Sequence, residues 1–285
     1  MKQRNTLQKQ VSSKIYDKNY YLSVCLGSEE FKKSKGQRLH PRVKHLLDSL
    51  PITSVMKVLD LGCGRGDISL FLAKKAGEVI GIDYSKDAID LANEIKSSAD
   101  KGIKNNVKFL RQDANALSFS ENFFDAAICI DLFEHLYPAE LNKVMKELKR
   151  VLKPNGLLFV HTGTNKLLYN YTYPLYILPV NKFLTSIDRK IKHVSYPPLP
   201  DDPRTREEKI QHVNEPTLGY LKELFREHEF NGSIKTEIGY VKNGKSMRTR
   251  LYNFLTVLYP LSKIYPISNL FGWVFICSMR NKKTL

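Results

Sequence analysis

The sequence predicts a doubly wound α/β fold on a mostly parallel sheet, and three observations carry that reading. Short apolar, β-branched runs recur at 55–61, 78–83, 107–112, 125–131 and 157–161, each of strand length. Helix-period patterns separate them over 68–73, 86–96 and 139–152, the alternation that gives parallel strands with crossover helices. Finally, the first run ends in Gly62, Gly64 and Gly66, a turn whose backbone a ligand can approach with no side chain in the way.

The first strand, 55–61, enters that turn through Asp60, and the helix over 68–73 follows it. A loop at this place is expected to present its N–H groups to a ligand at a helix N-terminus. The spacing narrows the ligand. A dinucleotide fingerprint G-x-G-x-x-G requires a small third residue at 67, where Asp67 stands, and the Gly-Lys-Ser/Thr of a phosphate-binding P-loop is absent. What remains is Asp60-x-Gly62-x-Gly64-x-Gly66, where an acid beside the turn suits a ligand carrying an ammonium group.

The second strand ends at Asp83, roughly 20 residues beyond the loop, the offset at which a carboxylate meets ribose hydroxyls. Ser85 caps the helix 86–96, whose Ala88, Ile89, Ala92 and Ile95 form one apolar stripe. The third strand ends at Asp113-Ala114, and the fourth at Asp131, before Leu132-Phe-Glu-His-Leu136. After the helix 139–152, Pro154-Asn-Gly156 marks a turn into the strand 157–161. Acids therefore collect at the carboxyl ends of parallel strands, the edge where open α/β sheets bind ligands.

Over 55–162 these motifs resemble the class I S-adenosylmethionine-dependent methyltransferases. The resemblance implies a Rossmann-like, seven-stranded sheet with an antiparallel C-terminal strand, a helical N-terminal leader and an insertion after strand 5. It implies S-adenosylmethionine as cofactor and S-adenosylhomocysteine as product. Asp60, Gly62, Cys63, Gly64 and Gly66 would hold it at the loop, Asp83 and Tyr84 at the ribose, Asp113 and Ala114 at the adenine, and Asp131 at the end of strand 4.

The flanks divide accordingly. Residues 1–50 form a basic, tyrosine-containing leader that ends in a helix over 42–50, and 51–285 form the catalytic domain. A leader tyrosine either packs near the cofactor's sulfonium, where an aromatic face gains about 0.5–2 kcal/mol from a cation, or anchors the leader. Within the domain, 163–215 is an insertion suited to an acceptor site or lid. It contains a tyrosine-rich stretch at 167–178, Lys182, Arg189, Lys190 and Lys192, and a proline-rich linker over 197–203. Its makeup fits a lipid-facing lid as well as a plain apolar cover. A helix over 217–229 capped by Thr217 and a strand over 234–241 follow. An apolar helix over 252–259, expected to pack in the core, precedes the final strand, 273–279.

Composition sets the outer limits. Net charge is +16, which suits nucleic acid, an anionic membrane surface or a plain solvated surface. Four cysteines lie scattered without C-x-x-C or metal spacing, which with the lack of a signal-peptide core points to the cytoplasm. No apolar run reaches the ~18 residues of a membrane span, so membrane contact is expected to be peripheral, at the inner face.

Methyl transfer needs a base only for a hydroxyl or thiol acceptor, and His135, His161 and His212 are the candidates. His212 is the first choice by position and His135 the second. Asp131-x-x-Glu134-His135 is similar to the Glu-x-x-Glu-His of ubiquinone-pathway O-methyltransferases and small-RNA 2′-O-methyltransferases, some of which use a metal. Asp at the first position shortens the reach, so no metal is expected. The expected function is O-methylation of a small or lipid-linked acceptor of quinone, polyprenyl or sugar type. RNA 2′-O-methylation and an inactive cofactor-binding protein are the alternatives, with nucleic acid the less favoured partner.

Overall fold

The computed structural model describes residues 10–192, 200–244 and 246–283. Seven strands form one sheet: β1 (Lys57–Leu61), β2 (Glu78–Asp83), β3 (Val107–Arg111), β4 (Phe124–Ile130), β5 (Leu152–Thr162), β6 (Phe230–Ile238) and β7 (Gly272–Asn281). Their order is β3-β2-β1-β4-β5-β7-β6. β1 to β5 pair in parallel, while β7 enters antiparallel between β5 and β6. The expected seven-stranded sheet with its antiparallel final strand is thus observed.

Crossover helices cover both faces. The leader supplies α1 (Ser28–Ser34) and α2 (Pro41–Asp48). Between the first three strands lie α3 (Asp67–Leu72), α4 (Lys86–Ser97) and α5 (Lys101–Asn105), and α6 (Pro138–Val151) joins β4 to β5. The period-2 pleat sorts the side chains. Leu59, Leu61, Cys129 and Val160 face α6, while Val58, Ile128 and Phe159 face the side of α2, α3 and α4.

Two boundaries moved for local reasons. β5 begins at Leu152, pairs with Phe124, and then loops out 153–156 before Leu157 resumes the ladder against Ala126. Asn155 takes a left-handed conformation (φ 60°) in that loop, one of the few types that tolerates it. β6 starts at Phe230, four residues before the expected 234, because the whole of β7 offers it a partner.

After β5 the regular alternation stops. Leu168–Ile177 winds as a wide π-type helix around Pro174, whose missing N–H breaks the usual ladder. α7 (Leu178–Lys192) and α8 (Arg206–Gln211) follow. Residues 197–199 of the expected proline-rich linker lie outside the described residues. α9 (Leu218–Glu227), α10 (Met247–Val257) and α11 (Ile267–Phe271) complete the chain, with Thr217 capping α9 through Tyr220 N at 3.1 Å. The sequence placed 252–259 in the core. Its inner side, with Val257, is buried, but Leu251, Phe254 and Leu255 are exposed.

Candidate active site

A cavity of about 430 Å³ runs along the carboxyl edge of the sheet, within the usual ~300–1,000 Å³ of small-molecule sites. Gly62, Cys63, Gly64, Asp83, Asp113 and Ala114 line it above β1 to β3, and Asp131, His135 and His161 line it above β4 and β5. Tyr16, Tyr20 and Tyr21 from the leader close it.

The glycine loop is fastened to β2. The N–H groups of Gly62 and Cys63 donate to the Ile82 carbonyl, both at 2.9 Å, and Gly64 N–H donates to Asp83 Oδ2 at 3.0 Å. These donors were expected to face a ligand; instead they are satisfied by β2, and the Cα faces of Gly62 and Gly64 abut Leu132 and Tyr21. Gly64 is left-handed (φ 50°), and a Cβ there would lie 3.0 Å from the Tyr21 ring. Arg65 locks the leader onto this loop. Its guanidinium, 4 % exposed, donates to the carbonyls of Tyr21 and Leu26 at 2.6 and 2.7 Å, to Asp67, and stacks over Phe31. Arg65 carries no mark in the sequence, because nothing local distinguishes a clamp from a surface arginine.

Two residues assigned to the cofactor lie behind the wall. The pleat that points Leu59 and Leu61 toward α6 turns Asp60 under α3, where its carboxylate accepts the Ser69 hydroxyl at 2.5 Å. Burial holds Asp60 up at about 7. Gly66 (φ 84°) backs onto Ala92 and Phe109, so it serves helix packing. Tyr84 lines the cavity, but its hydroxyl donates to the Val11 carbonyl of the leader at 3.1 Å. Asp83 stands on the wall with its carboxylate also accepting Ser85 N at 2.8 Å; burial raises its pKa to about 6. Asp113 accepts from Asn115 N at 2.9 Å and flanks the cavity with Ala114.

At the other end the candidates sort into two groups. Asp131, left-handed at φ 51°, accepts from His161 Nδ1 at 2.6 Å. Burial opposes charge on both partners, yet their mutual attraction prevails. Asp131 is held below the usual carboxylate range and His161 above the usual imidazole value. His161 is 4 % exposed, and its Nε2 is buried without a hydrogen-bond partner among the described residues. The signal for this pair was in the sequence. Both residues end adjacent parallel strands, and the register sets Ile130 beside His161.

Glu134, His135 and His212 form the second group, their ligand atoms all within 4.8 Å of one another. The trio that converges is therefore not Asp131, Glu134 and His135, because Asp131 is turned to His161. The Glu134 carboxylate accepts Thr162 Oγ1 at 2.8 Å and Gly163 N at 2.9 Å, and burial together with the Asp131 charge raises its pKa. His135 Nδ1 shares a 2.8 Å hydrogen bond with the Tyr16 hydroxyl, and burial lowers its pKa to about 4. Burial lowers His212 as well. Both are weakened as bases, against their assignment from sequence. Thr164, also unforeseen, is a β-branched residue at φ 56° on the cavity wall with a buried Oγ1 that has no hydrogen-bond partner among the described residues. Such strain gathers at functional sites.

Residues 58–156 match the family model described as a methyltransferase domain. Residues 58–156 therefore form a methyltransferase domain, similar to those of the class I S-adenosylmethionine-dependent methyltransferases. Over 133 residues this chain is 32 % identical to a sterol 4-C-methyltransferase of Caenorhabditis elegans, a match spanning 45 % of this chain and 39 % of the relative. A demethylmenaquinone methyltransferase of Staphylococcus aureus is 35 % identical, over 40 % of this chain and 46 % of its own. A ubiquinone biosynthesis O-methyltransferase of Coxiella burnetii is also 35 % identical, over 40 % and 47 %. The matches span less than half the length of each of these relatives. Among solved structures, a S-adenosylmethionine-dependent methyltransferase from Mesorhizobium loti superposes with TM-score 0.53 at 15 % identity, over 83 % of this chain and 96 % of that one. The cyclase SpnF gives 0.53 at 17 %, over 85 % and 80 %. Both show the fold alone. The family implies S-adenosylmethionine, and the Cβ-free Gly64 surface, the Asp83 carboxylate and the open wall at Ala114 fit such a group.

Proposed function

We propose that the methyltransferase uses S-adenosylmethionine to methylate a hydroxyl of a small or lipid-linked acceptor, of the quinone, polyprenyl or sugar class. The observation that carries this reading is the Asp131–His161 pair: His161 lines the same cavity as the glycine loop and Asp83, and its buried Nε2 has no hydrogen-bond partner among the described residues. The quinone-pathway names of two relatives support the acceptor class.

Bound S-adenosylmethionine supplies an electrophilic methyl group on a sulfonium. The leader tyrosines and the loop exclude water and hold the reactants in line, and such alignment is worth on the order of 7–11 kcal/mol. Against that group, the proton leaving the acceptor hydroxyl would pass to a neutral His161 Nε2. Asp131 stabilises the resulting imidazolium. No step is routed through a metal.

The test is transfer of labelled methyl groups from S-adenosylmethionine into separated lipid, metabolite, RNA and protein fractions. Label in lipids or small metabolites, lost with His161→Ala, is expected. Label in RNA, or cofactor binding with no transfer at all, overturns the reading.

A further inference from the structure

Three neighbouring elements leave apolar stripes on the surface. On α7, Phe183, Ile187 and Ile191 recur at i, i+4 and i+8, along one side of the helix; Phe183 and Ile191 are 65 % and 72 % exposed. On α10, Met247, Leu251, Phe254 and Leu255 repeat the pattern, with Met247 79 % and Leu251 54 % exposed. Leu175 of the π-type helix is 74 % exposed. The elements are joined: Asn181 of α7 donates to the Tyr252 hydroxyl of α10, and the Tyr176 hydroxyl donates to the Leu255 carbonyl at 2.9 Å. Their inner sides, with Ile177 and Val257, are buried in a shared cluster. The stripes are thus outward faces of packed helices, and folding of the described chain does not consume them.

Charge selects what covers them. By sequence, α7 carries Lys182, Arg189, Lys190 and Lys192 against Asp188, and α10 carries Arg248 and Arg250 with no acid. Lys182 is bridged to Asp201, and the remaining cations of the two helices still outnumber Asp188. A second copy would set two basic faces against each other. Leu, Ile and Met side chains gain nothing from the hydrated, stacked surface of RNA. Basic residues flanking an apolar stripe match an anionic bilayer, where the apolar side chains enter the acyl boundary and the cations meet headgroup phosphates. No helix among the described residues is long and apolar enough to cross a membrane.

We propose that α7, α10 and the π-type helix form one interfacial face that docks the protein on an anionic lipid surface. Tyr169, in the first turn of that π-type helix, lines the cavity and receives the Trp273 indole N–H. The face therefore sits on the segment that walls the acceptor end. The inference deepens the lipid-linked acceptor of the function proposed above, but vesicle binding needs no turnover, so either reading can fail without the other.

The experiment is co-sedimentation of the full chain with vesicles of phosphatidylcholine alone or doped with phosphatidylglycerol, at low and high salt. Binding is expected to be at least about tenfold tighter on the anionic vesicles and to weaken with salt. The triple variant Phe183→Glu, Ile191→Glu, Leu251→Glu should bind at least about tenfold more weakly, with its melting temperature and S-adenosylhomocysteine affinity unchanged. Equal binding by variant and wild type overturns the proposal, as does absence of binding to anionic vesicles. Concentration-dependent self-association that the triple substitution abolishes also overturns it, in favour of a second copy.

Discussion

Charge state separates the histidines that share the cavity. Asp131 raises the His161 pKa while burial lowers those of His135 and His212, so in the proposed reaction His161 is the strongest base of the three once it is neutral. Because the base must be neutral, the rate should rise with pH through the elevated His161 pKa. Asp131→Asn is expected to move that limb to lower pH and to cut the plateau kcat by on the order of 10²–10⁴, read from a pH–rate profile. The same pair acts on stability. Its contribution is full between about pH 4 and 6.5, the unfolded values of the two groups. It falls above that window as His161 releases its proton and below it as Asp131 takes one. Asp60 behaves oppositely: its carboxyl, held up at about 7 by burial, costs stability increasingly as pH rises from about 4, its unfolded value, to about 7, and by a constant amount above that. Asp60→Asn retains an acceptor for Ser69, so denaturation at pH 8 should show a gain of at least about 1 kcal/mol that vanishes below about pH 4. Unchanged S-adenosylhomocysteine affinity is expected alongside; a large loss would return Asp60 to the binding set.

Between elements, one buried side chain ties the leader to the glycine loop. Arg65 leaves the glycine loop and binds two leader carbonyls and Asp67 from a buried position. The leader in turn brings Tyr21 against Gly64 and Tyr16 to His135. Removing one partner of a buried pair costs about 3–5 kcal/mol, so Arg65→Ala should destabilise the chain by that order and loosen the leader. The checks are a chemical denaturation curve and ligand protection. In the wild type, S-adenosylhomocysteine at 100 times its Kd adds about 2.7 kcal/mol; the variant should need a markedly higher concentration for the same gain.

At the scale of the molecule, the sheet order explains why one cavity holds both halves of the proposed reaction. β1 lies between β2 and β4, so the loop and Asp83 adjoin Asp131, and β5 carries His161 next to it. The parts that vary this scheme are added at the edges. The leader closes the cavity from one side, and the segment after β5 walls its far end and carries the exposed apolar stripes. A methyltransferase and a cyclase share this fold among the solved structures, and a fold by itself leaves the chemistry to the side chains of the site.

The sequence by itself determined the sheet, its crossover helices, the glycine turn and the strand-end acids, because strand period, helix period and turn chemistry are local. Gly64, Asp83, Asp113 and Ala114 were legible for that reason. Only the tertiary structure decided which acid faces the cavity, since the pleat of β1 turns Asp60 under α3 while β2 brings Asp83 to the wall. It alone paired Asp131 with His161 rather than with Glu134 and His135, and gathered His212 from 77 residues downstream of His135. It also turned the apolar stripe of α10 outward, because one helix side is enough to fill the space against Ile177. These outcomes depend on register and packing between distant segments, which residue spacing along the chain does not encode.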